Sequence, residues 1–275
     1  MSGTAHDGRS VIERPGFSYL PRFISAAEAE TLITYFGALV PLWEHRHSRG
    51  DHQREGARSR RLTRPVYWLG AWQFACLGYY AEPDHREDRC VRAEAFPPVM
   101  HTILERLRGE LRGHDERFDD APNSCLINYY GREVGEGPPV DYARLRMHRD
   151  GEPGPVVMFS IGQPGLLEFV DPELADTPEL GVWTRHRSIT ILSGPDYKDR
   201  LYHRIRQVRH GRDPAIPTQL DGFEVRRVSV SFRHVPEALI TDFGGLTEGS
   251  REQVRGYVEA LAEHSPHFRR QLSQN

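Results

Sequence analysis

The sequence predicts an α+β, mainly β fold: a double-stranded β-helix (jelly roll) core, supporting helices on its N-terminal side and a helix at the C-terminal end. Three observations predict it. From Ser124 to Val235 the chain breaks into short β-type runs, SCLINYY, RLRMH, PVVMFSI, LLEFV, SITIL, LYHRIRQV and FEVRRVSVSFRHV, separated by Gly, Pro and Asp. Runs this short with no helix between them pair antiparallel, because parallel pairing needs long crossovers. The last run alternates: Arg227, Ser229, Ser231 and Arg233 share one face, and Val228, Val230 and Phe232 the other. Helical periodicity is confined to the flanks.

Taken in order, residues 1–14 read as a flexible lead. Pro15 to Phe23 is extended, and Ser25 opens a helix through a capping box with Glu28, followed by Leu32, Ile33, Phe36, Leu39 and Val40 on one face. His45 to Arg64 is almost devoid of apolar residues and reads as a solvated loop. Tyr67 to Tyr80 is aromatic and broken by Gly70 and Gly78, which fits strands or a rim loop. A second helix starts at Pro97 or Pro98 and carries Ile103, Leu104, Leu107 and Leu111. A last helix starts near Ser250 with Gln253 completing its box, and the residues after Ser265 read as frayed. The resulting organisation is an N-terminal extension with helices and a substrate-recognition rim (15–123), the jelly-roll core (124–235), and a C-terminal helix and tail (236–275).

With 275 residues, 38% apolar and 27% charged, the chain has material for one sizeable core. No apolar run approaches a membrane span, and a net charge of −3 excludes the uniformly basic surface of a nonspecific nucleic-acid coat. Of 36 basic residues only Lys198 is a lysine, so a lone arginine carries little information here. Cys76, Cys90 and Cys125 form no CxxC pair, so neither a disulfide framework nor a thiolate zinc site is expected. The N-terminal segment lacks a signal or transit pattern. A cytoplasmic monomer is the expectation.

The chemistry concentrates in LRMHRDGE, where His148 and Asp150 project from one face of a strand, and in LYHRI, where His203 lies on another. Two histidines and a carboxylate make a facial ligand set with open positions, suited to Fe(II) and also used by zinc hydrolases. The arginines of EVRRVSVSFR are too costly to bury without an anion, and a dicarboxylate is the natural guest. Asn128 and Tyr130 in INYYG share a face and offer an amide and a phenol to it.

In order and spacing, INYYG, MHRDGE, the pair PVVMFSIG and LLEFV, ITILSG, Tyr202–His203 and the closing R-x-x-x-x-x-R from Arg227 to Arg233 resemble the AlkB family of Fe(II)- and 2-oxoglutarate-dependent dioxygenases. FSYLPRFISAAEAETL is similar to the family's first strand and helix. The resemblance implies His148, Asp150 and His203 as catalytic iron ligands, and O2 and 2-oxoglutarate as cosubstrates. It places Arg233 on the distal carboxylate of 2-oxoglutarate and Arg227 near its metal-bound end, with Asn128, Tyr130 and Ser229 as further contacts; Ser229 stands where the family commonly has asparagine. It also implies decarboxylation of 2-oxoglutarate to succinate, coupled to hydroxylation of N-alkyl groups and formaldehyde release from alkylated bases of DNA or RNA, in the manner of DNA repair demethylases. Glu152, Tyr67 and Trp68 are the substrate residues under this reading. A hydroxylase or demethylase of a protein side chain or metabolite is the alternative, and an inactive jelly-roll binding module a second. GREVGEGPPVDYA, residues 131–143, reads either as a lid or as a surface insertion.

Overall fold

The computed structural model describes residues 5–47, 59–77, 90–111, 121–138, 140–152, 154–173, 177–209 and 216–274. Strands β1 (Ile12–Arg14) and β2 (Phe17–Leu20) form a hairpin around Gly16. A Cβ there would stand 2.2 Å from Ser193 O, at a φ of +78°, so only glycine fits. Helix α1 (Ala26–Ala38) has the expected capping box: Glu28 N donates to Ser25 Oγ at 3.2 Å and Ser25 N to Glu28 Oε2 at 2.8 Å. Strands β3 (His45–His47) and β4 (Ser59–Arg61) pair within the stretch read as a loop, whose centre lies outside the described residues. Then follow β5 (Val66–Leu69), β6 (Ala71–Trp72), a short turn of helix at Ala75–Leu77, β7 (Cys90–Arg92) and helix α2 (Pro98–Leu111).

The core strands are β8 (Ser124–Glu133), β9 (Val140–Asp141), β10 (Leu145–His148), β11 (Val156–Gly162), β12 (Gly165–Val170), β13 (Pro178–Thr184) and β14 (Ser188–Leu192). A wide π-type turn, Pro195–Arg200, leads to β15 (Tyr202–Val208), followed by β16 (Phe223–Arg233) and β17 (Ile240–Thr241). The chain ends in helices α3 (Glu248–His264) and α4 (Pro266–Ser273). The large antiparallel sheet runs β1-β2-β14-β11-β16-β8-β5, with β9 added to β8; the small one runs β10-β15-β12-β13. Strand β13 was not anticipated, because Pro178 and Gly181 interrupt its apolar pattern.

Strand parity sorts the two faces of the large sheet. Ile127, Tyr129, Val157, Phe159, Val228, Val230 and Phe232 pack with Leu32 and Phe36 of α1 and Ile103 and Leu107 of α2. On the other face, Tyr130, Val156 and Leu192 meet Leu167, Phe169, Val182 and Ile205 of the small sheet. The polar side of β16 therefore lies inside the sandwich, as its alternation predicts.

Three end assignments change. The lead is partly built in, because His6 N donates to Gly181 O and Trp183 N to His6 O, pairing the edge of β13. Helix α3 is capped by Thr247, whose hydroxyl accepts from Ser250 N, so Ser250 lies inside the helix. The tail is not frayed: Ser265 caps α4, and fully buried Phe268 packs edge-on against Trp72 at 5.8 Å. Among the described residues no helix is long and apolar enough to cross a membrane.

Candidate active site

His148 ends β10 directly opposite His203 of β15, with ring centroids 4.2 Å apart. His203 Nε2 lies 3.4 Å from Asp150 Oδ2, and one ligand atom from each of the three residues falls within 4.8 Å of the others. His148 Nδ1 lies 2.9 Å from Arg146 O. A carbonyl only accepts, so Nδ1 carries the proton and Nε2 keeps its lone pair for a cation. Burial holds both imidazoles neutral: it lowers His148, and it takes His203 down to about 3 with the neighbouring His148 adding to the effect. Burial opposes ionisation of Asp150, yet Arg233 and the two histidines hold it well below the usual carboxylate range. Two neutral imidazoles and a carboxylate form the donor set that a ferrous ion takes.

Arg233 grips the same carboxylate, donating from Nη2 to Asp150 Oδ1 at 2.5 Å and from Nε at 3.1 Å, and its Nε lies 3.4 Å from Glu152 Oε1. Burial, opposed by Arg233 and reinforced by Asp150, raises Glu152.

Between the sheets, a cavity is lined by Asn128, Tyr130, His148, Ser160, Thr184, Thr190, His203, Arg227, Ser229, Ser231 and Arg233, with Arg64 at its wall. Arg227 and Arg233 share a face of β16, their Cα atoms roughly 20 Å apart along the strand, and reach into this one space. Arg227 sits opposite Tyr130 in register and is 2% exposed. Its Nη1 donates to Gln163 O and Thr184 O, and its Nη2 to Ser160 Oγ and Thr184 Oγ1. Among the described residues no carboxylate pairs with it, and its Nε and the hydroxyl of Thr190 are buried without partners. Burial lowers it to about 10, still a cation at neutral pH. A Cβ on Gly165 would stand 3.0 Å from Arg227 Nε, so glycine makes room for the guanidinium.

The two arginines are thus exchanged relative to the expectation. Arg233 belongs to the metal end, because it meets Asp150, and Arg227 is the remote cation, because β16 runs away from the histidines toward the Gly162–Gly165 turn. A diacid held at one end by the metal site and at the other by Arg227 fits this charge pattern.

Asn128 faces Ser229 across β8 and β16, and both line the cavity. Arg64 is the residue the sequence did not single out from its neighbours: it is 6% exposed, its Nε donates to Asn128 Oδ1 at 2.5 Å, and its guanidinium lies 5.8 Å from the Tyr130 ring centre. Ser160 shares with Met158 the cavity face of β11, a face that nothing in the sequence marked; Arg64 resembled any loop arginine.

The rim aromatics are corrected. Tyr67 turns to the helix side, where its hydroxyl donates to Glu94 Oε2 at 2.7 Å. Trp68 is fully buried in the core. Neither lines the cavity, because residues 67–77 fold inward around Glu44, which accepts from Trp72 Nε1 at 2.8 Å and Ala75 N at 2.6 Å. Glu152 lies behind Arg233, outside the cavity lining. The described part of 131–143 is a pinned hairpin: Asp141 pairs with Arg226 at 2.8 Å, and Arg61 bonds Glu133 and the Tyr142 hydroxyl.

Residues 16–233 match the sequence profile of the 2OG-Fe(II) oxygenase superfamily. The solved structure of OsALKBH1 superposes with a TM-score of 0.53 and 17% identity, over 82% of this chain and the whole of that one, a likeness of fold. An oxidoreductase of the 2OG-Fe(II) oxygenase family from Burkholderia pseudomallei gives a TM-score of 0.43 and 17% identity, over 79% of this chain and 84% of its own. No curated protein matches the sequence significantly.

Proposed function

The chain belongs to the 2OG-Fe(II) oxygenase superfamily, and from that premise we propose that it oxidatively removes N-alkyl groups from the bases of DNA or RNA. The cofactor and cosubstrates that the family implies are Fe(II), 2-oxoglutarate and O2. The observation that carries the cosubstrate half is Arg227, a buried cation with no carboxylate partner among the described residues, in one cavity with a His-Asp-His cluster. Substrate class rests on the AlkB resemblance and on exposed Arg144, Arg146 and Arg149, which flank the cavity on and beside β10 and suit phosphates.

Under this reading His148, Asp150 and His203 hold the metal, which when bound supplies oxygen activation coupled to oxidative decarboxylation of 2-oxoglutarate. Arg227, Ser160 and Tyr130 hold the distal carboxylate, and Asn128 and Ser229 steady the middle of the diacid. Arg233 neutralises Asp150 and contributes positive charge at the metal end. Leu126, Leu145, Met158, Leu167 and Ile205 line the same space and keep it dry.

The test is anaerobic titration with Fe(II) and 2-oxoglutarate, followed by a panel of methylated oligonucleotides, methylated peptides and small amines scored for succinate and formaldehyde. Formaldehyde stoichiometric with succinate from an oligonucleotide, with salt-sensitive binding, supports the proposal. Coupled turnover only with peptides or amines overturns the substrate class, and no 2-oxoglutarate turnover with any substrate overturns the oxygenase.

A further inference from the structure

The chain's sole lysine is buried. Lys198 is 5% exposed, although lysine is almost never found so deep without a partner. It lies in the wide turn Pro195–Arg200, a geometry that concentrates at functional sites. Tyr197 anchors this turn in the core between the sheets, its ring 5.1 Å from Phe17 and 5.0 Å from Phe169. From that anchored turn Lys198 Nζ donates to the main-chain oxygen of Asp150 at 2.7 Å. The next residue repeats the tie in reverse, with Arg149 Nη1 donating to Asp199 O at 2.5 Å.

These bonds join the segment bearing Asp150 to the turn that feeds β15 and His203. The segment needs an external tie: β10 is a four-residue edge strand, and Gly151 after Asp150 leaves the backbone unrestrained. A single carbonyl among the carboxylates of Asp150 and Glu152 suits a compact ammonium, whereas a planar guanidinium would bring five donors to one acceptor.

We propose that Lys198 is a positioning residue of the metal centre, fixing the main chain of Asp150 so that its carboxylate meets the histidines in ligand geometry. This rests on the reading of His148, Asp150 and His203 as metal ligands. The sequence holds no second ammonium side chain to take its place, since the other 35 of the 36 lysine and arginine residues are arginines.

The experiment is Co(II) titration of the full chain, read by visible absorption, for the parent and Lys198→Met. The expected result is roughly 10- to 100-fold weaker Co(II) binding, the usual effect of losing a residue that orients a ligand, with altered ligand-field bands and an unchanged far-ultraviolet circular dichroism spectrum. Parental affinity and bands in the variant overturn the proposal. Failure of the parent to bind Co(II) overturns the ligand assignment itself. Should Lys198→Met not fold, reductive methylation of the parent decides: one lysine gives one ε-amine, expected to react several-fold more slowly once Zn(II) is bound. A rate indifferent to Zn(II) overturns the proposal.

Discussion

Arg64 Nε lies 2.5 Å from Asn128 Oδ1, and because a guanidinium accepts no hydrogen bond, this contact fixes which end of the amide faces away. The Nδ2 end of Asn128 is thereby turned from Arg64, and the side chain lines the cavity. Arg64→Gln removes the charged donor and lets the amide turn. Hydrogen bonds involving a charged partner contribute about 1.5–3 kcal/mol. The 2-oxoglutarate dissociation constant of the Mn(II)-loaded protein should therefore rise about tenfold or more by calorimetry, and an unchanged constant contradicts the role.

The exchanged positions of the two β16 arginines separate their variants. Arg227→Met removes the remote cation and should weaken 2-oxoglutarate binding by about 100-fold, with Mn(II) affinity unaltered because no ligand touches Arg227. Arg233→Met should weaken both, since Asp150 loses its counter-ion. Equal behaviour of the two variants in paired titrations would show that the cavity is not polarised in this way.

Asp150, a metal ligand in the proposed function, is also half of a buried ion pair, with side-chain exposures of 6% for Arg233 and 5% for Asp150. Asp150→Ala should abolish succinate formation and also leave Arg233 and Lys198 short of negative charge. Removing one partner of a buried pair costs about 3–5 kcal/mol. Urea unfolding of the metal-free variant should show that loss, whereas parental stability would mean the pair contributes nothing.

Glu44 gives the pH dependence. Its carboxyl is raised from 4.5 to about 7 by burial, against the bonds from Ala75 N and the indole of Trp72. The folded state holds this proton more tightly than the unfolded chain. Its stabilising contribution is therefore complete below pH 4.5 and lost as pH rises through 7, a change of about 3 kcal/mol. Glu44→Gln lacks the titration, so the stability of the parent relative to the variant should fall between pH 4 and pH 8. A constant difference across that range rejects the assignment.

The sequence carried the architecture because its signals were local. Parity in β16 and β8 separated helix-facing from cavity-facing residues, and the Ser25–Glu28 pair marked α1. Parity says nothing about direction along a strand, so it did not reveal which arginine, 227 or 233, lies beside the metal ligands. Composition hid Arg64 among arginines, and the solvation of its loop argued against burial. Tyr67 and Trp68 read as a rim because nothing local announces that Glu44, more than twenty positions earlier, draws that segment into the core. Ser250 looked like the cap of the last helix because Gln253 stands three positions on, and only the reach of a hydroxyl to the backbone shows that Thr247 holds that place.

Strand β10 is at once the carrier of His148 and the outermost strand of the small sheet, only four residues long and irregular in its pairing between Leu145 and His148. Short peripheral pieces open first when a protein breathes. The cation should accordingly escape through partial melting of this border well before global denaturation, making occupancy rather than folding the limit on working lifetime. Amide exchange at 145–150 that slows sharply on loading, while β8 and β16 stay equally protected, is the signature to look for.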